Sequence, residues 1–271
     1  MRALLAALTL LAALPAQAQE TGLVSLETAD AGRDWQAVGR LDLGSRGFCT
    51  GTLIAPDLVL TAAHCLFDKE TGARNDVASI EFLAGWRNGR AEAYRNIRRA
   101  LPHPDYVYGG EVGVDRVAYD LALLQLDQPI LLPSIRPLPT AAAPVVGGEV
   151  AVVSYAQDRA EAPSLQEVCH VLDGRPDILV LNCDVDFGAS GAPIFAVQDG
   201  VARVVSVISA KADVEGQKVA LGTVLDGPLQ ILRAEMAAGD GVAHVSSSGV
   251  RILSGGAAKG AKFIKVQPAT P

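Results

Sequence analysis

Short runs of β-prone residues recur along the chain at 35–41 (WQAVGRL), 51–54, 57–61, 78–84, 121–126, 149–155, 167–172, 178–182, 193–197, 201–209 and 218–225. Some alternate apolar with polar positions, others are apolar throughout, and Gly, Pro, Asp and Asn punctuate them. This spacing predicts an all-β sandwich or barrel, because βαβ units would place a helical pattern between successive strands. Helical spacing is confined to a single turn over 62–67 and to 227–237 (GPLQILRAEMA). In the latter, Leu229, Ile231, Leu232 and Met236 recur near the helical period and Gly239 follows as a stop signal. The proline-rich segment 128–144 cannot enter a sheet ladder and reads as a semi-rigid connector. It divides the chain into strand-rich halves over 35–139 and 140–238. The competing reading makes it one long surface loop inside a single domain.

Composition narrows the class. Of 271 residues, 49% are hydrophobic and 20% charged, which excludes an intrinsically disordered chain. A net charge of −7 leaves no basic surplus for neutralising phosphates, so a nucleic-acid partner is not expected. The 27 Gly and 15 Pro fit a protein of many turns.

The ends differ from the body. Arg2, the apolar run 3–14 and the small-residue site Ala16-Gln17-Ala18 predict a secretory signal peptide cleaved near Ala18. The run is too short to cross a bilayer core, which needs about 20 residues, and no later segment is long enough. The expectation is an exported protein, secreted or periplasmic, without a membrane span. Residues 19–34 form an N-terminal segment or a propeptide. The C-terminal stretch 239–271 is a basic tail, with four basic residues and no acid after position 241.

Export bears on the four cysteines, Cys49, Cys65, Cys169 and Cys183. An even number in an oxidising compartment suggests two disulfides, and four cysteines admit three pairings. Pairing by proximity joins Cys49 to Cys65 and Cys169 to Cys183. The competing reading is a zinc site on Cys49, His64 and Cys65, but adjacent His and Cys are poorly spaced for two ligands of one tetrahedral ion. No metal or other cofactor is expected, and no dense carboxylate loop asks for calcium.

Three segments carry chemistry. In 48–66 (FCTGTLIAPDLVLTAAHCL), a β-prone run ends at His64, whose side-chain type can take and return a proton near neutral pH. In 119–124, Asp120 directly precedes a run of aliphatics, so its carboxylate is expected to be partly buried and in need of a partner such as an imidazole. In 188–193 (GASGAP), glycines on both sides of Ser190 allow a sharp turn that points the N–H groups of Gly188 and Ser190 into one small space. Acyl transfer needs that arrangement of a hydroxyl nucleophile with donors for an oxyanion. Taken singly, each segment has an ordinary structural reading: a histidine beside a cysteine, a turn aspartate, a Gly-Ser turn.

Taken in order, TAAHC, DLALL and GxSGxP resemble the three signatures of the trypsin-like (chymotrypsin-fold) serine peptidases. The resemblance spans most of 35–225. It implies two Greek-key six-stranded β-barrels with the active site between them and a short C-terminal helix. It also implies His64 as general base, Asp120 as the group that orients the imidazole, and Ser190 as nucleophile, with Gly188 and Ser190 supplying the oxyanion hole. Ser209, in a segment similar to the family's cleft-lining strand, is expected to contact Asp120. The substrate would be a polypeptide, and a monomer is expected. Animal-type members carry an Asp before the nucleophile that a newly cut N-terminus pairs with on activation. Ala189 stands there, so that switch should be absent. The gap between Asp120 and Ser190 and the string CDVD at 183–186 look more like the bacterial secreted V8-like, glutamyl-endopeptidase-type branch.

Specificity is less determined. Asp184, six positions before Ser190, stands where trypsin-like enzymes place the acid that selects Arg or Lys, or it is a structural strand residue. Glutamyl preference would usually want a His in the distal pocket wall. Residues 218–224 have none, although Thr223 and Lys211 could contribute. His103 is expected in a loop. A catalytically silent homologue that binds peptides through the same cleft is the main competing function. A triad esterase is disfavoured by the order His, Asp, Ser.

Overall fold

The computed structural model describes residues 22–109, 114–214 and 216–243. The signal segment, its Ala18 site and nearly all of the basic tail lie outside the described residues.

Two barrels account for most of the chain. After the edge strand β1 (Val24–Ser25), the first is built from β2 (Val38–Asp42), β3 (Phe48–Ala55), β4 (Leu58–Thr61), β5 (Glu81–Ala84), β6 (Ala93–Pro102) and β7 (Ala122–Leu126). The second uses β8 (Glu149–Ala156), β9 (Arg159–Arg175), β10 (Ile178–Leu181), β11 (Pro193–Gln198), β12 (Val201–Val214) and β13 (Gln217–Val224). All pairings between these strands are antiparallel, and each sheet closes on itself through β6–β7 or β8–β9. Each ring contains six strands, and β1 and β14 (Val242–Ala243) are additions at β9 and β6. The order round the ring is β2-β3-β4-β7-β6-β5 in the first and β8-β9-β10-β13-β12-β11 in the second, so both halves follow one Greek-key path. Closure removes the unpaired edges that an open sheet would expose.

Near-continuous burial along the central strands shows why these segments pack as they do. Along β3, Cys49, Thr50, Thr52 and Leu53 are buried, and β7 buries Ala122, Leu123, Leu124 and Leu126. One cluster joins the barrels: Val153, Tyr155, Phe195 and Val207 of the second pack with Leu41, Leu53 and Phe82 of the first. Tyr155 is fully buried, and its hydroxyl donates to the Trp86 carbonyl of the first barrel at 2.8 Å. Removing that much apolar surface from water is the main force holding the halves together.

Two helices are regular. The short α1 (Val114–Ala118) leads into Asp120, and α2 (Asp226–Ala238) ends at Gly239, which takes the left-handed conformation. Pro228, Leu229, Leu232 and Met236 form the buried face of α2, which packs on β6 and β7, so the chain returns to the first barrel. Ile231, grouped with that face by spacing, is 42% exposed. Among the described residues, no helix is long and apolar enough to cross a membrane. The disulfides are Cys49–Cys65 and Cys169–Cys183, the pairing that proximity favours. Cys49, His64 and Cys65 do lie together. Both sulfurs are spent in the disulfide, so neither offers the thiolate that zinc would need.

Candidate active site

His64 sits in a 3-10 turn, Ala63–Leu66, at the end of β4. Its cysteine neighbour ties that turn to β3. Asp120 lies between α1 and β7 and is 2% exposed. Its carboxylate accepts from the His64 backbone N–H at 2.8 Å and lies 2.7 Å from His64 Nδ1. The Ser209 hydroxyl, on β12, donates to the same carboxylate at 2.5 Å. A carboxylate only accepts, so Nδ1 carries the shared proton, and in the neutral ring Nε2 is the atom with the lone pair. These three bonds satisfy a charge whose burial would otherwise be costly.

Ser190 occupies the loop between β10 and β11, and β3 holds that loop. The Thr50 N–H donates to the Ser190 carbonyl at 2.8 Å, and the Thr50 hydroxyl donates to the Gly188 carbonyl at 2.9 Å. Both glycines are required. Gly188 has φ +99°, and a Cβ there would stand 2.5 Å from the Phe48 ring. Gly191 has φ +79°, and its Cβ would meet Thr61 Oγ1 at 2.1 Å and the Thr50 carbonyl at 2.3 Å. Among the described residues, the N–H groups of Gly188 and Ser190 have no acceptor, whereas those of Ala189 and Gly191 bond to Asp186 and Ile208 carbonyls. Among the described residues no hydrogen bond links Ser190 Oγ to His64, a contact that is often long before substrate binds.

His64 and Ser190 share the walls of two adjoining recesses. The larger, about 620 Å³, is also lined by Phe48, Cys49, Phe187 and Gly188. The smaller, about 370 Å³, is bounded by Val185, Asp186 and Phe187 on one side and by Ile208 through Lys211 on the other. Lys211 Nζ lies 2.6 Å from Asp186 Oδ1 and 4.2 Å from the centre of the Phe187 ring. The hydrogen bond from Lys211, followed by that from the Phe187 N–H, holds the Asp186 carboxyl below its ordinary range.

Of the residues singled out from sequence, His64, Asp120 and Ser209 are joined by hydrogen bonds, and Ser190 with Gly188 lines the cleft beside them. Asp184 and Thr223 do not line it. Asp184 is exposed, and its N–H donates to Gln166 Oε1 at 2.7 Å. Thr223 is fully buried, and its hydroxyl donates to the Val117 carbonyl at 2.6 Å, bracing the turn that carries Asp120. Thr50 and Phe48 were missed. A threonine within the β-prone run that leads to His64 was the available sign for Thr50. His103 lies in the loop after β6, as expected, and is buried there: its ring stacks on Tyr119, and its Nε2 has no partner among the described residues.

Comparison with known proteins agrees with the double-barrel fold. Residues 49–205, more than half of the chain, match the family described as a trypsin-like peptidase domain. Serine protease 23 of Mus musculus is 30% identical over 173 residues, covering 54% of this chain and 42% of the relative. Serine protease 56 of Mus musculus is 35% identical over 108 residues, covering 40% of this chain and 16% of that protein. The chain therefore spans less than half the length of these relatives. A solved Glu endopeptidase in complex with MPD superposes with a TM-score of 0.64 over 80% of this chain and 97% of its own, at 17% identity, which is a likeness of fold. With the family match covering that share of the sequence and the double barrel beneath it, the chain belongs to the trypsin-like peptidase family.

Proposed function

We propose that the protein is an exported serine endopeptidase that cleaves polypeptides through an acyl-enzyme on Ser190. The observation that carries this reading is the buried Asp120 bonded to His64 Nδ1, on the wall of the cleft that also holds Ser190 and two unpaired N–H groups. In the proposed cycle, His64 Nε2 takes the Ser190 proton as Oγ attacks the peptide carbonyl. The Gly188 and Ser190 N–H groups stabilise the oxyanion, and His64 then passes the proton to the leaving amine. Water, deprotonated by the same ring, hydrolyses the acyl-enzyme. Asp120 fixes the tautomer and stabilises the imidazolium, and Ser209 holds Asp120. The cycle needs neither metal nor a second copy of the chain. The two disulfides and the N-terminal sequence support export.

The competing reading is a silent homologue that binds peptides without cutting them. Turnover of a mixed peptide library separates the two. Ser190→Ala should lower the rate by about a million-fold. Equal hydrolysis by both proteins, or none by the unaltered chain, would reject the peptidase reading.

A further inference from the structure

Both peptide planes that meet at Gly188 are anchored through their carbonyls. In the plane before it, the Phe187 carbonyl accepts from the Gln157 N–H at 2.7 Å. In the plane after it, the Gly188 carbonyl accepts from the Thr50 hydroxyl at 2.9 Å. A trans peptide directs its N–H opposite to its carbonyl, so the Gly188 N–H points away from Gln157. A glycine at φ +99° has wide backbone freedom, and two anchored planes remove it. We propose that Thr50 is a positioning residue, whose hydroxyl holds the Gly188 N–H in its oxyanion-facing direction before substrate arrives. This inference rests on the peptidase reading above, in which that N–H is one of the two oxyanion donors.

The direction of the Thr50 hydroxyl is itself determined. Its oxygen accepts from the Tyr155 N–H at 3.1 Å, and an N–H only donates, so the single hydroxyl proton is left for the Gly188 carbonyl. The pairing of β8 with β9 slips between Ser154 and Ala156, which turns the Tyr155 N–H to this use. Thr50 is fully buried, so both bonds are shielded from bulk water. Ala189, also fully buried, carries no charge that could anchor the loop by an ion pair. Donors already aimed at the developing charge cost no reorganisation during the reaction. Without the hydroxyl, the plane after Gly188 loses its anchor and the N–H before it can swing. Gln157 acts through its main chain, so the Thr50 hydroxyl is the part of this brace that a side-chain substitution removes.

Thr50→Val keeps the branched shape and the backbone N–H that bonds to Ser190, whereas Thr50→Ser keeps the hydroxyl. Thr52→Val is the control, because Thr52 is buried in the same strand and its hydroxyl has no partner among the described residues. Peptide turnover is measured per active site, counted by exhaustive fluorophosphonate labelling. Affinity is measured for a peptide aldehyde, whose adduct with Ser190 places an oxygen at the oxyanion position, and for the matching alcohol, which forms no adduct. Thr50→Val should lower kcat about 10- to 100-fold with KM nearly unchanged, and weaken the aldehyde by a similar factor but not the alcohol. Thr50→Ser and Thr52→Val should stay within about threefold of the unaltered chain on every measure. Should the valine variant fail to fold by far-UV circular dichroism, Thr50→Ala replaces it with the same expected result. An unchanged kcat without the hydroxyl, a loss confined to KM, a parallel loss of aldehyde and alcohol affinity, or an equal loss in Thr52→Val overturns the brace and leaves the peptidase reading intact. Failure of the unaltered chain to react with fluorophosphonate overturns both.

Discussion

Asp120 receives hydrogen bonds from groups on separate parts of the chain: the backbone and ring of His64 after β4, and the hydroxyl of Ser209 on β12. The Thr223 hydroxyl, on β13, braces the preceding turn through the Val117 carbonyl. The second barrel therefore secures a carboxylate that belongs to the first. Asp120→Asn changes one oxygen into an N–H donor facing an imidazole that already donates, so the ring should adopt the other tautomer. Turnover should fall about 10⁴-fold with the fold intact, checked by steady-state kinetics beside far-UV circular dichroism. A loss below about tenfold would mean that Asp120 does not govern the tautomer. His64, Asp120, Ser190 and Ser209 were legible in sequence because each stands in a short string with its own local context. Asp184 misled because position was read without geometry: its N–H is engaged by Gln166, and the residue is exposed and absent from the walls of both recesses. The Asp186–Lys211 pair lies 25 residues apart in sequence, and no local pattern announces a contact made between a loop and a strand of a barrel.

At the scale of elements, the runs at 178–182, 193–197 and 218–225 reappear as β10, β11 and β13 with ends shifted by at most a residue. The strand β6 was missed. Its sequence AYRNIRRALP carries three arginines, yet Ile97, Ala100 and Leu101 are buried while the guanidinium groups stay at the surface. Long basic side chains can cover a barrel from outside, so charge concealed the alternation. The strand β9 extends well beyond the expected 167–172 because it serves β8, β10 and β1 in turn. Just beyond the end of β6, His103 is packed between Tyr119 and the first barrel. Burial lowers its pKa from 6.5, and the nearby carboxylates of Asp105 and Glu235 oppose that shift only in part. A lowered folded pKa means that the unfolded chain binds the proton more readily. Stability should therefore fall as pH drops below about 6.5 towards the folded value. His103→Gln should flatten that part of the profile, measured by urea denaturation between about pH 7 and about pH 5. An unchanged slope would show that His103 is not the group responsible.

For the whole molecule, two barrels of one connectivity meet so that His64 of the first, bonded to Asp120, lines the same cleft as Gly188 and Ser190 of the second. Thr50 is the junction between them: it bonds to Ser190, Gly188 and the Tyr155 N–H, all in the second barrel. Catalysis on this account depends on the packing between barrels as much as on any single side chain. The most direct test is to treat the unaltered chain with a fluorophosphonate and locate the adduct by peptide mass spectrometry. A single adduct on Ser190, absent from His64→Ala and from protein unfolded before treatment, is the predicted result. No adduct, or one on another residue, would contradict the account.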